Sequence, residues 1–174
     1  MANLADTFDA RGNAPGPWWW FGKNLLVAAD VLHQHTLDST HFVVAQPHER
    51  GTSIAVFGPM LMLRACALEC LFKAKYLDRG NTLAKGGRFQ KPPTRDHDLV
   101  ALSHLAGLPR SPELIALLGK LQRYVTAGRY PIETTSANTY PDDATGYAWS
   151  ETDEAEFTRL RMNLFEEDAR LSQE

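Results

Sequence analysis

The segment from about Pro59 to Arg79 constrains this chain more than any other. Leu63, Ala67, Cys70, Leu71, Ala74 and Leu77 recur there at helical spacing, and the stretch up to Leu71 is apolar on nearly all sides. A helix hydrophobic around most of its circumference has no face to give to water, so it belongs in the middle of a bundle. Gly80 is placed to end it, since glycine takes the left-handed cap conformation without a Cβ clash. An earlier start, at Ser53 with a kink at Pro59, is compatible with the same pattern.

Helices able to cover such a centre are legible on both sides of it. Trp18, Phe21, Gly22, Leu25, Ala28, Ala29 and Leu32 recur at spacings of three and four, which predicts a first amphipathic helix. After the central helix, Asp96 or Asp98 can cap a short helix over Leu99 to Ala106, ended by Gly107 and Pro109. Ser111, Pro112 and Glu113 then form a helix start, followed by the stripe Leu114, Leu117, Leu118, Leu121 and Val125 and stopped by Gly128. Ser150 caps a last helix with the stripe Phe157, Leu160, Leu164 and Leu171, its first turns crowded with acids that suit the helix dipole. No strand alternation competes and no repeat is visible, so the expected fold is all-α, a four- to five-helix bundle. Residues 1–17 hold two glycines and two prolines without helical periodicity and read as a flexible arm, leaving 18–174 as a single domain. Residues 36–58 and 130–150 carry mixed signals and receive no assignment.

Charge and cysteine usage bound the function. A formal net charge of −3 speaks against nucleic-acid binding by a domain-wide positive field and leaves room only for a local patch. One such patch follows Gly80, where Lys85, Arg88, Lys91 and Arg95 are not interrupted by a single acid; it reads as a mobile, positive loop. Cys66 and Cys70 lie four apart on an apolar face and suit a reducing compartment better than a disulfide framework. With no leader-like segment and no long apolar run, the expectation is a cytoplasmic protein without a membrane partner.

Several groups of residues have the composition for chemistry. Glu69 and Lys73 stand one turn apart in the order that favours an intrahelical ion pair; were Glu69 buried, it would anchor an arginine such as Arg64, Arg95 or Arg129. Arg95, Asp96, His97 and Asp98 bring an imidazole, two carboxylates and a guanidinium to a helix start, where an Asp cap is the structural alternative. Lys85, Arg88 and Lys91 around Gly86-Gly87 can neutralise phosphates or form an ordinary solvated loop, without the string of a Walker-type loop and without interleaved aromatics. Four consecutive aromatics, Trp18 to Phe21, cannot all enter one core, so at least one ring is expected to face outward or toward a partner. Arg129 and Tyr130 follow the terminus of the fourth helix, where capping suffices to explain the cation. A metal phosphohydrolase of the His-Asp type needs further ligands, and His33, His35 and Asp142 offer no matching spacing; no metal and no cofactor are expected.

The strings ALECLFKAKYLDRG (67–80), RDHDLVALSHLAGL (95–108) and GRYP (128–131) resemble the HEPN (higher eukaryote and prokaryote nucleotide-binding) superfamily over about the central half of the chain. The resemblance rests on Glu69 with Lys73, on His97-Asp98-Leu99, and on Arg129-Tyr130. It implies a helical bundle that often forms homodimers. It further implies a role in prokaryotic toxin–antitoxin or defence systems, with RNA or a nucleotide as ligand and a small nucleotidyltransferase as a possible protein partner. Many members are metal-independent ribonucleases that use an Arg followed four to six residues later by a His. This chain departs from that spacing: Arg95 lies two positions before His97 and Arg88 nine. The expectation is therefore a non-catalytic binding component with Arg64, Glu69, Lys73, Lys85, Arg88, Lys91, Asp98 and Tyr130 as candidate ligand contacts. The alternative is a divergent ribonuclease toxin using Arg95, His97 and Arg129.

Overall fold

The structure, a computed structural model, describes residues 3–43, 50–127 and 149–171. Among them are six α-helices and one two-stranded hairpin: α1 (Leu4–Gly12), α2 (Pro15–Val43), α3 (Arg50–Asp78), β1 (Ala84–Lys85), β2 (Arg88–Phe89), α4 (Leu99–Leu105), α5 (Pro112–Ala127) and α6 (Glu151–Leu171). The all-α class expected from the stripes is what forms. No described helix is long and apolar enough to cross a membrane.

α3 is the central element. Met60, Leu61, Ala65, Leu68, Leu71 and Phe72 are each buried to within 1%. They meet α2 on one side and α4 and α5 on the other, with α6 completing the layer through α5. The helix runs unbroken through Pro59 and begins before it. Where α2 crosses α3, Gly22 lies so close that a Cβ would stand 2.8 Å from a Leu71 methyl, so the missing side chain sets the spacing of the two longest helices. The starts of α4, α5 and α6 follow the sequence signals. Asp98 Oδ1 accepts the Ala101 N–H at 2.9 Å, Ser111 Oγ accepts that of Leu114 at 3.1 Å, and Ser150 Oγ accepts that of Asp153 at 3.2 Å. Gly80 and Gly107 take positive φ after α3 and α4.

Two expectations need correction. Residues 1–17 are not a featureless arm: α1 is capped by Asn3 and α2 already starts at Pro15, which raises the helix count above five. The segment after Gly80 is not a loose loop either. Ala84 pairs with Phe89 and Lys85 with Arg88, and Gly86 and Gly87, at φ 63° and 73°, form the two-residue turn with both φ positive that matches strand twist. The same residues explain both departures. Asn13 Oδ1 accepts the Leu83 and Ala84 N–H groups at 2.7 and 2.9 Å, while its Nδ2 donates to the Ala84 carbonyl at 2.8 Å. No side chain of α1 is buried, so polar contacts with the hairpin, rather than an apolar stripe, fix the helix in place.

Candidate functional site

The hairpin, α1 and the beginning of α2 enclose an open cleft of ≈ 650 Å³ lined by five aromatic rings. The four consecutive aromatics divide as one helical turn requires: Trp19 is buried, Trp18 is half-buried, and Trp20 and Phe21 are 67% and 52% exposed. Phe8 from α1 and Phe89 from β2, 45% and 49% exposed, face the same cleft together with Arg11. Trp18 is held in place by its indole N–H, which donates to the Gly12 carbonyl at 3.0 Å, and its ring lies 6.3 Å from that of Phe89. The basic segment thus has an aromatic after all: Phe89 directly follows Arg88, and the fold sets Trp18 beside it.

Beneath this cleft Glu69 forms the expected pair with Lys73, and His97, not linked to them by the sequence pattern, joins it. Glu69 Oε1 accepts from Lys73 Nζ at 2.6 Å, and Oε2 lies 2.9 Å from His97 Nδ1. The Lys73 ammonium also sits 5.2 Å from the Trp18 ring and 5.5 Å from that of Phe89, which joins the ion cluster to the aromatic cleft. Burial opposes ionisation of Glu69, but the Lys73 charge and the hydrogen bonds from His97 and Lys73 outweigh it and hold the carboxyl below its ordinary range. His97 has φ 58°, the one non-glycine residue with positive φ among those described. That backbone turns its ring back toward α3. With Nδ1 taken by Glu69, the other ring nitrogen has no partner among the described residues.

The remaining candidates are dispersed. Among the described residues Glu69 anchors no arginine. Arg64 instead lies on another part of α3, 1% exposed, with its guanidinium 2.5 and 2.9 Å from the two Glu154 oxygens and 3.0 Å from His33 Nδ1. Phe157 and Trp149 lie 4.4 and 5.6 Å from its centre, and the Trp149 N–H also donates to Glu154 at 2.7 Å. Burial works against the Glu154 charge, yet the hydrogen bond and charge of Arg64 keep its carboxyl below the ordinary range. Arg64 is therefore a packed structural cation and no free ligand contact. Lys85, Arg88 and Arg95 are exposed and have no acid at ion-pair distance among the described residues, whereas Lys91 Nζ is 2.6 Å from Asp96. Asp98 serves as the cap of α4. Arg129, Tyr130 and Asp142 lie outside the described residues.

Cys66 and Cys70 are free thiols, and burial pushes that of Cys70 up to about 12, so it is a packing group without nucleophilic character at neutral pH. Among the described residues no group of three or more His, Cys, Asp or Glu is arranged to hold a metal ion. What sequence reasoning missed is the partnership of Arg64 with Glu154 and His33, separated by 90 and 31 positions, and the stacking surface that Phe89 completes. An aromatic directly beside a cation in an acid-free segment was the available signal for the second. Comparison with protein-family models, with curated proteins and with solved structures gives no match.

Proposed function

We propose that the chain is a HEPN-like domain that binds single-stranded RNA, stacking bases in the aromatic cleft and meeting phosphates with the hairpin cations. In this reading it serves as a non-catalytic component of a toxin–antitoxin or defence system. The observation that carries the reading is the exposure of Phe8, Trp20, Phe21 and Phe89 around one cleft, on the border of Lys85 and Arg88. Solvent-exposed rings beside unpaired cations are what a sequence-tolerant single-strand site requires, each stacked base contributing ~1–3 kcal/mol. The test is fluorescence anisotropy with a labelled oligouridylate at low salt. Phe89→Ala is expected to weaken binding by roughly 5- to 150-fold, the equivalent of one stacked base. Equal affinity of Phe89→Ala and the unaltered chain, or none in either, would dismiss the reading.

A second reading, a divergent metal-independent ribonuclease, draws support from the Glu69–His97 pair. A carboxylate on Nδ1 orients the imidazole and leaves Nε2 to take a proton from a ribose hydroxyl, with Arg95 near enough in sequence to meet the phosphate. RNA cleavage in chelator that disappears in His97→Ala would favour it; absence of cleavage in the unaltered chain removes it.

The homodimer implied by the resemblance is assigned in this reading to the outer face of α2. Positions 24, 27, 28, 31, 34 and 35 share that face and hold Asn, Val, Ala, Val, Gln and His, with no Asp, Glu, Lys or Arg among them before Asp38. Val27 and Val31 are 60% and 64% exposed there. An uncharged, partly apolar stripe is complementary to a second copy of itself and offers nothing to a phosphate backbone.

A further inference from the structure

The turn of the hairpin already binds an anion, and that anion belongs to the chain. Gly86 N–H donates to Asp9 Oδ2 at 2.6 Å and Gly87 N–H to Asp9 Oδ1 at 2.9 Å, so two successive backbone amides grip one carboxylate through both oxygens. Successive amides that converge in this way form a concave anion seat, and here two glycines with positive φ create it. Lys85 and Arg88 flank the seat, both exposed and without an acid at ion-pair distance among the described residues. Asp9 reaches it from α1, a helix with no buried side chain, whose other attachments are the Asn13 contacts, the Trp18 indole on the Gly12 carbonyl and close packing of Gly12 on Ala84.

We propose that the Gly86-Gly87 turn is a phosphate-binding site and that Asp9 occupies it as an internal substitute, which an incoming phosphodiester displaces. This inference rests on the RNA-binding reading and names the seat of the phosphate within it. A phosphodiester presents two non-bridging oxygens on one atom, the same two-toothed grip that Asp9 offers. It also brings a negative charge to a position between two cations that the carboxylate only partly satisfies. The aromatic cleft is lined by Phe89, two positions beyond the turn, so a base on that ring and its phosphate on the turn are contiguous units of one strand. Displacement of Asp9 frees α1 from the turn while the Asn13 bonds keep its end attached, which makes α1 a latch on the site.

The experiment follows the Gly86 and Gly87 amide resonances of the labelled full chain during titration with inorganic phosphate and, separately, with a short oligouridylate. Chloride at matched ionic strength is the control. In Asp9→Asn the charge of the competitor is gone while its size is kept. Phosphate is then expected to shift both amides saturably and about tenfold more tightly than in the unaltered chain, the equivalent of one charge-assisted contact no longer competed for. Equal affinity in the two proteins, no amide shift in Asp9→Asn, or the same shift with chloride overturns the proposal. The phosphate arm does not involve the aromatic cleft, so phosphate seated on the turn with no RNA binding would sink the RNA reading alone. RNA binding sensitive to Phe89→Ala but silent at Gly86 and Gly87 would sink the phosphate seat alone.

Discussion

Glu154→Ala strips the carboxylate from a guanidinium that is 1% exposed. Arg64 keeps the His33 ring nitrogen at 3.0 Å and the ring faces of Phe157 and Trp149, none of which carries a compensating charge. Its Nε is buried without a hydrogen-bond partner among the described residues, so the group has no reserve of contacts there. Removing one partner of a buried ion pair costs about 3–5 kcal/mol because the other charge is left desolvated. The Glu154 side chain is itself 29% exposed, so water can follow it out, and the lower end, about 3 kcal/mol, is the expected value. For a chain of this length that corresponds to a drop in Tm of roughly 6–12 °C. Urea unfolding followed by tryptophan fluorescence reads it as a lower midpoint at unchanged slope. The double replacement Arg64→Met with Glu154→Leu removes both charges and is expected to recover most of the loss, since an apolar pair of similar volume does as well as an ion pair in a core. A loss under about 1 kcal/mol in Glu154→Ala, or a double variant less stable than the single one, would refute the argument that desolvation of Arg64 dominates.

The other predictions concern pH and assembly. The carboxyls of Glu69, Asp153 and Glu154 are held below their ordinary range in the folded chain, so the stability they contribute is complete above that range and is lost as pH falls through their depressed values. Urea midpoints should therefore drop steeply from about pH 4 downward, and Glu154→Ala should show a shallower drop; parallel curves would contradict the assignment. Val27→Asp with Val31→Asp should convert a dimer to a monomer in light scattering with little change in Tm, because both side chains are already exposed. A monomeric unaltered chain at high micromolar concentration removes the α2 interface.

Much of the bundle was legible because its signals are local or periodic. The caps Asp98, Ser111 and Ser150 act within three residues, and the stripe of α5 reports burial directly, whereas in α2 Trp19 and Leu26 are buried and the expected Phe21 and Ala28 are exposed. α1 and the hairpin were not legible, since neither buries a stripe. Each is stabilised by the other through Asp9 and Asn13, contacts 77 and 70 positions apart that leave no periodic trace. The Glu69–His97 bond depends in the same way on a left-handed residue, which in sequence looks like any other histidine before a helix. The Arg64 cluster was hidden because Glu154 also fits as a dipole-favoured acid at a helix start, and nothing local says that it reaches across the bundle instead.

A chain of net charge −3 can nevertheless present an anion-binding face, because the total does not say where the charges sit and several acids already contact a cation elsewhere. Glu69 is committed to Lys73, Asp30 to Arg161, Asp153 to Lys120, Glu154 to Arg64 and Glu156 to Arg159, each within ion-pair contact. Fields from charges beyond about 8 Å are screened at physiological ionic strength, so the balance at the hairpin is set by its neighbours and not by the whole-chain total. Those neighbours are Lys85 and Arg88, with no acid at ion-pair distance among the described residues, Lys91 offset by Asp96, and Asp9 seated on the turn. Net charge therefore excludes only a protein that is cationic throughout. The local sign depends on where Asp9 sits, and Asp9 is carried by the one described α-helix that buries nothing of its own.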